Sequence, residues 1–194
     1  MSPRTLAIIK PCAVSNPVIL KMVGDVILSK HFKIARACRM QLNHDQAAQL
    51  YSCHVGKFFY ERLLRHMTSG PCLAMQLETT DGSDPIRTWR AALGPSKLFG
   101  NFMAHSNIPP QKRCLRQRFA ISDTRNCGHG SDSPEEVDRE IVVFEPFMKN
   151  VEDPITLFEL PKELQPTDLK SEPDAEFCNN LNGESKLATS TALK

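Results

Sequence analysis

The chain has 194 residues, 41% of them hydrophobic, and a formal net charge of +2. This length and apolar content predict one compact domain with a sizeable core, and they exclude a wholly disordered chain. Residues 1–150 carry an excess of seven positive charges, whereas residues 151–194 are acidic. The basic excess suits a polyanionic ligand such as a nucleotide, although ordinary solubilising surface would look the same. Nucleic-acid binding has only this charge in its favour, and we rank it well below nucleotide binding.

The seven cysteines show no repeated spacing and include no C-x-x-C pair. This pattern supports neither a structural zinc site nor a disulfide framework, and it indicates a reducing, intracellular setting such as the cytoplasm. No apolar run reaches the length of a membrane-spanning helix, and the run over residues 6–9 is too short for a signal-peptide core. A mitochondrial location without an obvious presequence stays open.

Strands and helices alternate through the first half of the chain. A short buried strand is predicted over residues 5–10, and Asn16 begins a helix with an apolar stripe. A strand over residues 32–40 leads to a helix that Asn43 caps and that continues to about His54. A shorter helix follows. The stripe of the first helix comprises Ile19, Met22, Val23, Val26 and Ile27.

The second half continues this alternation. A strand is predicted over residues 72–77, and Asp84 begins the next helix. The last strand is predicted over residues 119–122, and Ser133 begins a capping box with Glu136 three residues later. Apolar residues at helical spacing predict a buried face in both helices: Ile86, Trp89 and Leu93 in the first, Val137, Ile141 and Phe144 in the second.

This order of elements predicts an α+β fold, a ferredoxin-like split βαβ sandwich with an antiparallel sheet, over residues 1–150. Residues 95–117 have no strong period and predict a long functional loop. Residues 151–194 form an acidic tail rich in Pro and Ser, predicted to be disordered apart from a docking segment at residues 155–160.

The segment 125–133, Arg-Asn-Cys-Gly-His-Gly-Ser-Asp-Ser, has the pattern of a reactive site. Gly128 and Gly130 flank His129, so that substrate could approach the ring and the backbone could adopt strained dihedrals. Glu140, in the following helix, could bind one ring nitrogen of His129, fix its tautomer and leave the other nitrogen free to attack. His129 is therefore predicted to be a nucleophile. The remaining histidines are predicted to be surface or core residues: His31, His44, His54, His66 and His105.

Four motifs occur in order within residues 4–148: Ile8-Ile9-Lys10-Pro11, Ser69-Gly70-Pro71, Trp89-Arg90 to Leu93-Gly94, and Arg125-Asn126 with His129-Gly130-Ser131-Asp132-Ser133. Together they resemble the nucleoside diphosphate kinases. Residues 123–126, the enlarged loop and the C-terminal extension resemble the divergent group II of these kinases, nearest its isoform-six branch. The chain has no G-x-x-x-x-G-K-[ST] phosphate loop, which excludes a P-loop kinase.

The resemblance implies transfer of the γ-phosphate of a nucleoside triphosphate, usually ATP, to a nucleoside diphosphate for GTP, CTP and UTP synthesis. It implies ping-pong chemistry through a phosphohistidine on the pros nitrogen of His129. Lys10 matches the lysine that stabilises charge on the transferring phosphoryl group, and Tyr51 matches the tyrosine beside it. Glu140 matches the carboxylate that orients the histidine, with Ser131 supporting it.

The resemblance also implies the residues that bind nucleotide. Phe59 matches the aromatic on which the base stacks, while Arg90 and Arg116 match the arginines that grip the phosphates. Ser96 stands where the family has a phosphate-binding threonine, and Asn126 matches the asparagine that contacts the sugar 3′-hydroxyl. Mg²⁺ is the implied cofactor, held mainly by the nucleotide's phosphates and water, so no dedicated carboxylate cage is expected.

Three of these assignments have structural alternatives, and in the first of them Arg90 could pair with a surface carboxylate instead of a phosphate. The aromatic residues Phe58, Phe59 and Tyr60 could simply begin a helix in the core, and a ring adjacent to Phe59 could be the one that stacks on the base. Tyr51 could equally be a half-buried packing residue.

The sequence departs from the family pattern near the nucleotide. Cys12 and Ala13 replace the usual aspartate and glycine, Gln117 replaces a glycine, and the loop between Gly94 and Arg116 is several residues longer. Typical members use this loop for nucleotide contacts and for packing dimers into hexamers. The alternative is therefore a nucleotide-binding scaffold or regulatory protein whose transfer activity is weak or needs a protein partner. A homo-oligomer built from dimers is expected, with the hexamer open.

Overall fold

The computed structural model describes residues 3–97, 108–109 and 112–159. Its centre is a five-stranded antiparallel sheet in the order β4-β1-β3-β2-β5. The strands are β1 (Thr5–Ile9), β2 (Phe32–Met40), β3 (Cys72–Thr79), β4 (Gly128–Gly130) and β5 (Lys149–Asn150). The predicted α+β class with an antiparallel sheet is confirmed.

Helices cover both faces of this sheet. They are α1 (Pro11–Val14), α2 (Pro17–Ser29), α3 (His44–Leu50), α4 (Tyr60–Met67), α5 (Pro85–Leu93), α6 (Leu115–Phe119) and α7 (Pro134–Ile141), with 3₁₀ turns at Ser52–His54, Glu145–Phe147 and Pro154–Leu157. The predicted caps Asn16, Asn43, Asp84 and Ser133 each accept hydrogen bonds from backbone N–H groups of the first turn. None of the helices in the described ranges has the length and apolar content that crossing a bilayer requires.

Two apolar layers hold the helices to the sheet. Ala7 and Ile9 of β1 belong to a cluster that includes residues of α2 and α5, while Leu6 and Ile8 belong to a second cluster with α3, α4 and α7. The alternation follows from the pleat of a strand, which points successive side chains to opposite faces. Strand β1 is buried on both faces, and Lys10, the residue after its carboxyl end, is buried as well.

The strand predicted over residues 119–122 is wrong. Leu115 and Phe119, one helical turn apart, both pack against the first cluster, so residues 115–119 form α6. Ile121 is 67% exposed, and the chain then runs irregularly to β4, the strand that carries His129. The predicted loop accordingly ends before α6, and its residues 98–107 and 110–111 lie outside the described residues. The helix after Asn43 ends at Leu50 rather than near His54.

The compact unit extends past the predicted boundary at residue 150, to Glu159. Beyond β5, the 3₁₀ turn Pro154–Leu157 brings Phe158 into the first cluster, where it is 4% exposed and lies against Gly24 of α2. The predicted docking segment at residues 155–160 therefore contains a residue that packs into the core. The predicted disorder of the tail concerns residues 160–194, which lie outside the described part of the chain.

Candidate active site

Strand β4 fixes the backbone of His129. His129 pairs with Ile8 across the β1–β4 ladder, and the Lys10 N–H donates to the Cys127 carbonyl at 2.8 Å. The indole N–H of Trp89, on α5, donates to the His129 carbonyl at 3.0 Å. The histidine side chain is 16% exposed. Its backbone is thus held from the strand side and from the helix side, while its ring remains accessible.

The two glycines that flank His129 are required for close packing rather than for strained dihedrals. A Cβ on Gly128 would lie 2.7 Å from Leu93, and one on Gly130 would lie 2.5 Å from Trp89. Neither glycine has a positive φ, and the left-handed residue of this segment is Cys127, with φ 63°. The sequence-based explanation of strained glycines is therefore replaced by contact between β4 and α5.

The ring of His129 is oriented by a buried carboxylate. Glu140 Oε2 lies 2.8 Å from His129 Nε2 and accepts a hydrogen bond from the Ser131 hydroxyl at 2.6 Å. Burial alone would raise the pKa of Glu140, but the hydrogen bond and charge of His129, the Ser131 hydroxyl and the charge of Arg139 together lower it. An ionised carboxylate only accepts, so Nε2 carries the proton and the lone pair is on Nδ1.

Lys10 ends the buried β1 strand and is only 4% exposed. Its ammonium donates to the Asn126 side-chain oxygen at 2.8 Å and to the Thr124 carbonyl at 3.1 Å. Burial, and then the charge of Arg116, lower the pKa of Lys10 from 10.5 to about 8. A buried ammonium without a carboxylate among these partners is costly, and a bound anion would relieve that cost.

Tyr51 follows α3 and is 2% exposed. Its ring makes an edge-to-face contact with the His129 ring at a centroid distance of 5.5 Å. The hydroxyl is buried and has no hydrogen-bond partner in the structure. Burial raises the pKa of Tyr51 well above its ordinary value, so the phenol is a neutral donor. An unpaired donor at the nucleophile is suited to a phosphate oxygen.

The two predicted phosphate-binding arginines both contact protein groups. Arg90 contacts the carboxylate of Asp132 and donates to the Gly130 carbonyl at 3.3 Å. Arg116 donates to the carbonyls of Gly94, at 2.6 Å, and Gly128, at 2.9 Å, while its Nε–H is buried without a partner. Burial lowers the pKa of the Arg116 guanidinium. Together with Lys10 they bring three cationic side chains close to the backbone of His129.

An aromatic wall runs outward from the nucleophile. The ring of His54 stacks on Tyr51 at 6.0 Å and meets Phe59 edge-to-face at 5.4 Å. Phe59 is half-buried against the second cluster, whereas its neighbour Phe58 is 84% exposed. Ser96 is exposed, and its backbone carbonyl lies 3.5 Å from the Asn126 amide nitrogen.

The structure brings most of the predicted residues together. Around His129 it places Lys10, Tyr51, Arg90, Arg116, Asn126, Ser131 and Glu140, with Phe59 at the outer end of the aromatic wall and Ser96 at the surface. Sequence patterns did not single out His54, Asp132 or Arg139. Their positions depend on contacts between elements, although Asp132 lies within the H-G-S-D-S motif.

The donor set does not form a cation cage. Within the described ranges, no group of three or more His, Cys, Asp or Glu side chains could hold a metal ion. The carboxylates of Glu140 and Asp132 are engaged by His129 and Arg90 respectively.

The antiparallel α+β fold, with a carboxylate-oriented histidine beside a buried lysine and two arginines, is an arrangement suited to phosphoryl transfer. The family model for nucleoside diphosphate kinase matches residues 3–149. The chain therefore belongs to the nucleoside diphosphate kinase family.

Two relatives and one solved structure indicate the branch and the fold. The chain is 41% identical over 143 residues to nucleoside diphosphate kinase 6 of Mus musculus, covering 73% of this chain and 70% of the relative. It is 35% identical over 160 residues to nucleoside diphosphate kinase homolog 5 of Danio rerio, covering 82% and 67%. The nucleoside diphosphate kinase of Halobacterium salinarum, solved with CDP, superposes with a TM-score of 0.62 at 25% identity, covering 79% and 95%. The predicted family and isoform-six branch are confirmed.

Proposed function

We propose that the protein transfers the γ-phosphate of a nucleoside triphosphate, usually ATP, to a nucleoside diphosphate through a phosphohistidine. The lone pair of His129 Nδ1 forms a bond to the γ-phosphorus, while the bond from this phosphorus to the bridging oxygen breaks and the diphosphate leaves. A terminal β-phosphate oxygen of the acceptor then attacks the same phosphorus, and the N–P bond breaks. The proton on Nε2 stays between His129 and Glu140, so no net proton transfer is needed.

The observation that carries this proposal is the 2.8 Å contact between His129 Nε2 and the buried Glu140 carboxylate. It fixes the tautomer before substrate arrives, and it stabilises the positive charge that develops on the ring as Nδ1 attacks. Ser131 holds the same carboxylate oxygen and so keeps it directed at the ring.

Cationic and neutral donors would stabilise the transferring group. Lys10 has one N–H beyond the two that Asn126 and Thr124 accept, and the Tyr51 hydroxyl is unpaired. We assign the charge on the transferring phosphoryl group to these two residues, and the remaining phosphates to Arg90 and Arg116. When bound, Mg²⁺ supplies further neutralisation of phosphate charge and is held by the phosphates and water.

The nucleoside would lie along the aromatic wall. Stacking on Phe59 would accept any base, because every base has a π-face, so one site could serve the synthesis of GTP, CTP and UTP. Asn126 Oδ1 accepts from Lys10 and retains a second lone pair for the sugar 3′-hydroxyl. We assign Ser96, at the surface beside Asn126, to the phosphates through its hydroxyl.

The experiment is phosphoenzyme labelling. The protein is incubated with γ-labelled ATP and magnesium, and an acid-labile, base-stable label on the chain is expected, which unlabelled GDP then removes as GTP. His129→Ala should abolish the label and keep nucleotide affinity, whereas His44→Ala, an exposed histidine on α3, should label normally. A folded, nucleotide-binding protein that never labels would refute the proposal.

One observation favours the alternative, a nucleotide-binding scaffold with weak transfer. Arg116 donates to two backbone carbonyls, and Arg90 is engaged by Asp132, so both phosphate arginines must rearrange or share their donors. Displacing a phosphate contact by about 1 Å can cost ~100-fold in rate. Under this alternative nucleotide binds tightly, and labelling stays slow until a protein partner is added.

We further propose an intracellular, cytoplasmic setting and a homo-oligomer built from dimers. The six cysteines of the described ranges are all free thiols, which supports a reducing compartment. Sedimentation of the purified chain tests the oligomer, and fractionation of cells tests the compartment, including the mitochondrial alternative.

A further inference from the structure

Arg139, on α7, contacts two parts of the site at once. It directly precedes Glu140 in the chain, and its guanidinium NH2 lies 3.3 Å from Glu140 Oε1. The other oxygen of that carboxylate is the one that His129 and Ser131 share. The carboxylate is therefore held at both of its oxygens, which limits its rotation about the side-chain axis.

The same guanidinium binds the end of α3. Its NH1 lies 3.3 Å from the carbonyls of Gln49 and Leu50 and 3.2 Å from the Ser52 hydroxyl. These carbonyls belong to the last turn of the helix, where the unsatisfied C=O groups and the helix dipole favour a cation. Tyr51, which contacts the His129 ring, lies between Leu50 and Ser52 in the chain. One side chain thus ties Glu140 to the segment that carries Tyr51.

Glu136 keeps the guanidinium in this position. Its carboxylate contacts Arg139 NH2 and lies 3.3 Å from Arg139 Nε. Half of the predicted capping box forms. The Ser133 hydroxyl accepts a hydrogen bond from the Glu136 N–H, whereas the Glu136 side chain contacts Arg139. The planar fork of an arginine, with five N–H donors, can reach the two carboxylates and the end of α3 together, which the three donors of a lysine cannot do.

We propose that Arg139 is a positioning residue for phosphoryl transfer, which holds Glu140 ionised and directed at His129 and locks it to the end of α3. The inference rests on the proposed function. Arg139 makes no hydrogen bond to His129 among its contacts in the described residues, and it acts through Glu140 and the segment that carries Tyr51.

A pH profile separates this role from a merely structural one. Glu140 is faced by His129, Arg139, Tyr51 and His54, and Arg139 is faced in addition by Glu136 and Cys53. The positive charge of Arg139, whose NH2 lies 3.3 Å from Glu140 Oε1, favours the ionised carboxylate and opposes its protonation. Loss of this charge must move the acid limb of the rate profile to higher pH.

The test compares Arg139→Met, Arg139→Lys and the control Arg4→Met by single-turnover phosphoenzyme formation across pH. Arg4 ties the same helix through Asp138 at 2.9 Å, and its contact lies on that exposed carboxylate rather than on Glu140. Arg139→Met should label about tenfold more slowly, with nucleotide Kd unchanged and the acid limb raised by about one pH unit. Arg139→Lys should keep the acid limb and recover only part of the rate. Arg4→Met should behave as the parent protein.

An Arg139→Met protein with the parent's rate, or a slower one whose acid limb does not move, would overturn the inference. If Arg139→Met does not fold, Arg139→Lys decides, because a rate equal to the parent's would show that the fork geometry is irrelevant. A parent protein that forms no phosphoenzyme would instead refute the proposed function.

Discussion

Lys10 is expected to take up a proton when a nucleotide binds. Its ammonium is buried at the end of β1, with its pKa lowered to about 8 by burial and by Arg116. A diphosphate brings negative charge to this ammonium, which favours the charged form. The perturbation is the addition of magnesium ADP, compared with the same addition to Lys10→Met.

The lowered pKa of Lys10 sets the size of the proton uptake. At about pH 8.5, a lysine with this pKa is roughly one quarter protonated, and a return toward its ordinary value on binding requires uptake of about 0.7 proton. In the free protein, the folded-state pKa lies below the unfolded value of 10.5. At Lys10 the unfolded chain therefore binds more protons between about pH 8 and 10.5, and the contribution of Lys10 to stability rises with pH across this window by roughly 3 kcal/mol. The buried thiols of Cys38, Cys72 and Cys127, whose pKa values are raised, act in the opposite direction, so the Lys10 contribution is the difference between the parent protein and Lys10→Met. Below about pH 8, Lys10 is protonated in both the folded and the unfolded state, so its contribution to stability is lowest there and does not change with pH.

Titration calorimetry in buffers of different ionisation enthalpy measures the proton uptake, and urea unfolding between pH 7 and 11 measures the stability. Lys10→Met should lose the buffer dependence, and the stability of the parent protein relative to Lys10→Met should rise with pH between about pH 8 and 10.5. Lys21→Met, which removes an exposed lysine paired with Asp25, is the matched control and should keep both. Binding enthalpies independent of buffer in the parent protein, or a buffer dependence that survives in Lys10→Met, would refute the reasoning.

Three further substitutions have definite expected outcomes. Glu140→Gln should slow phosphoenzyme formation about a hundredfold by misplacing the His129 ring, with nucleotide Kd unchanged; an equal loss of affinity would contradict this. Gly24→Ala puts a Cβ 2.3 Å from the Phe158 ring and should cost about 1–3 kcal/mol in urea unfolding, whereas the transfer rate of the folded protein should not change. Tyr51→Phe removes a buried hydroxyl without a partner, so thermal unfolding should show no loss of stability while labelling slows; a destabilised protein would argue against the unpaired hydroxyl.

Helix starts could be predicted well from the sequence, because a cap and its acceptors lie within a few residues of each other. Asn43 and Ser133 illustrate this, since each accepts from an N–H three residues later. Strand β4 could not be predicted, because its three residues carry little apolar periodicity and its extended form depends on pairing with β1, about 120 residues earlier. The apolar run at residues 119–122 predicts a strand that the structure does not contain, because strand formation depends on pairing with a distant segment, which a local run does not reveal.

The centre of the candidate site could also be predicted from the sequence. Glu140 follows His129 by a helix start and two turns, so local geometry alone brings the carboxylate to the ring. Arg139 was not within reach, because its partners Gln49 and Leu50 lie about ninety residues away on a different helix. The motif predicts glycines with strained dihedrals beside His129. The structure shows instead that they are needed for close packing against α5, and the motif alone does not reveal their neighbour Trp89.

Trp89 is the single tryptophan of the 194 residues, and its indole N–H binds the carbonyl of His129. The one strong fluorophore of the protein is therefore hydrogen-bonded to the residue that would carry the phosphate. Gain or loss of a dianionic group on that ring changes the electric field at the indole, and the emission should shift with it. Mixing with a nucleotide in a stopped-flow instrument would then time each half of the turnover from light that the unlabelled protein already emits.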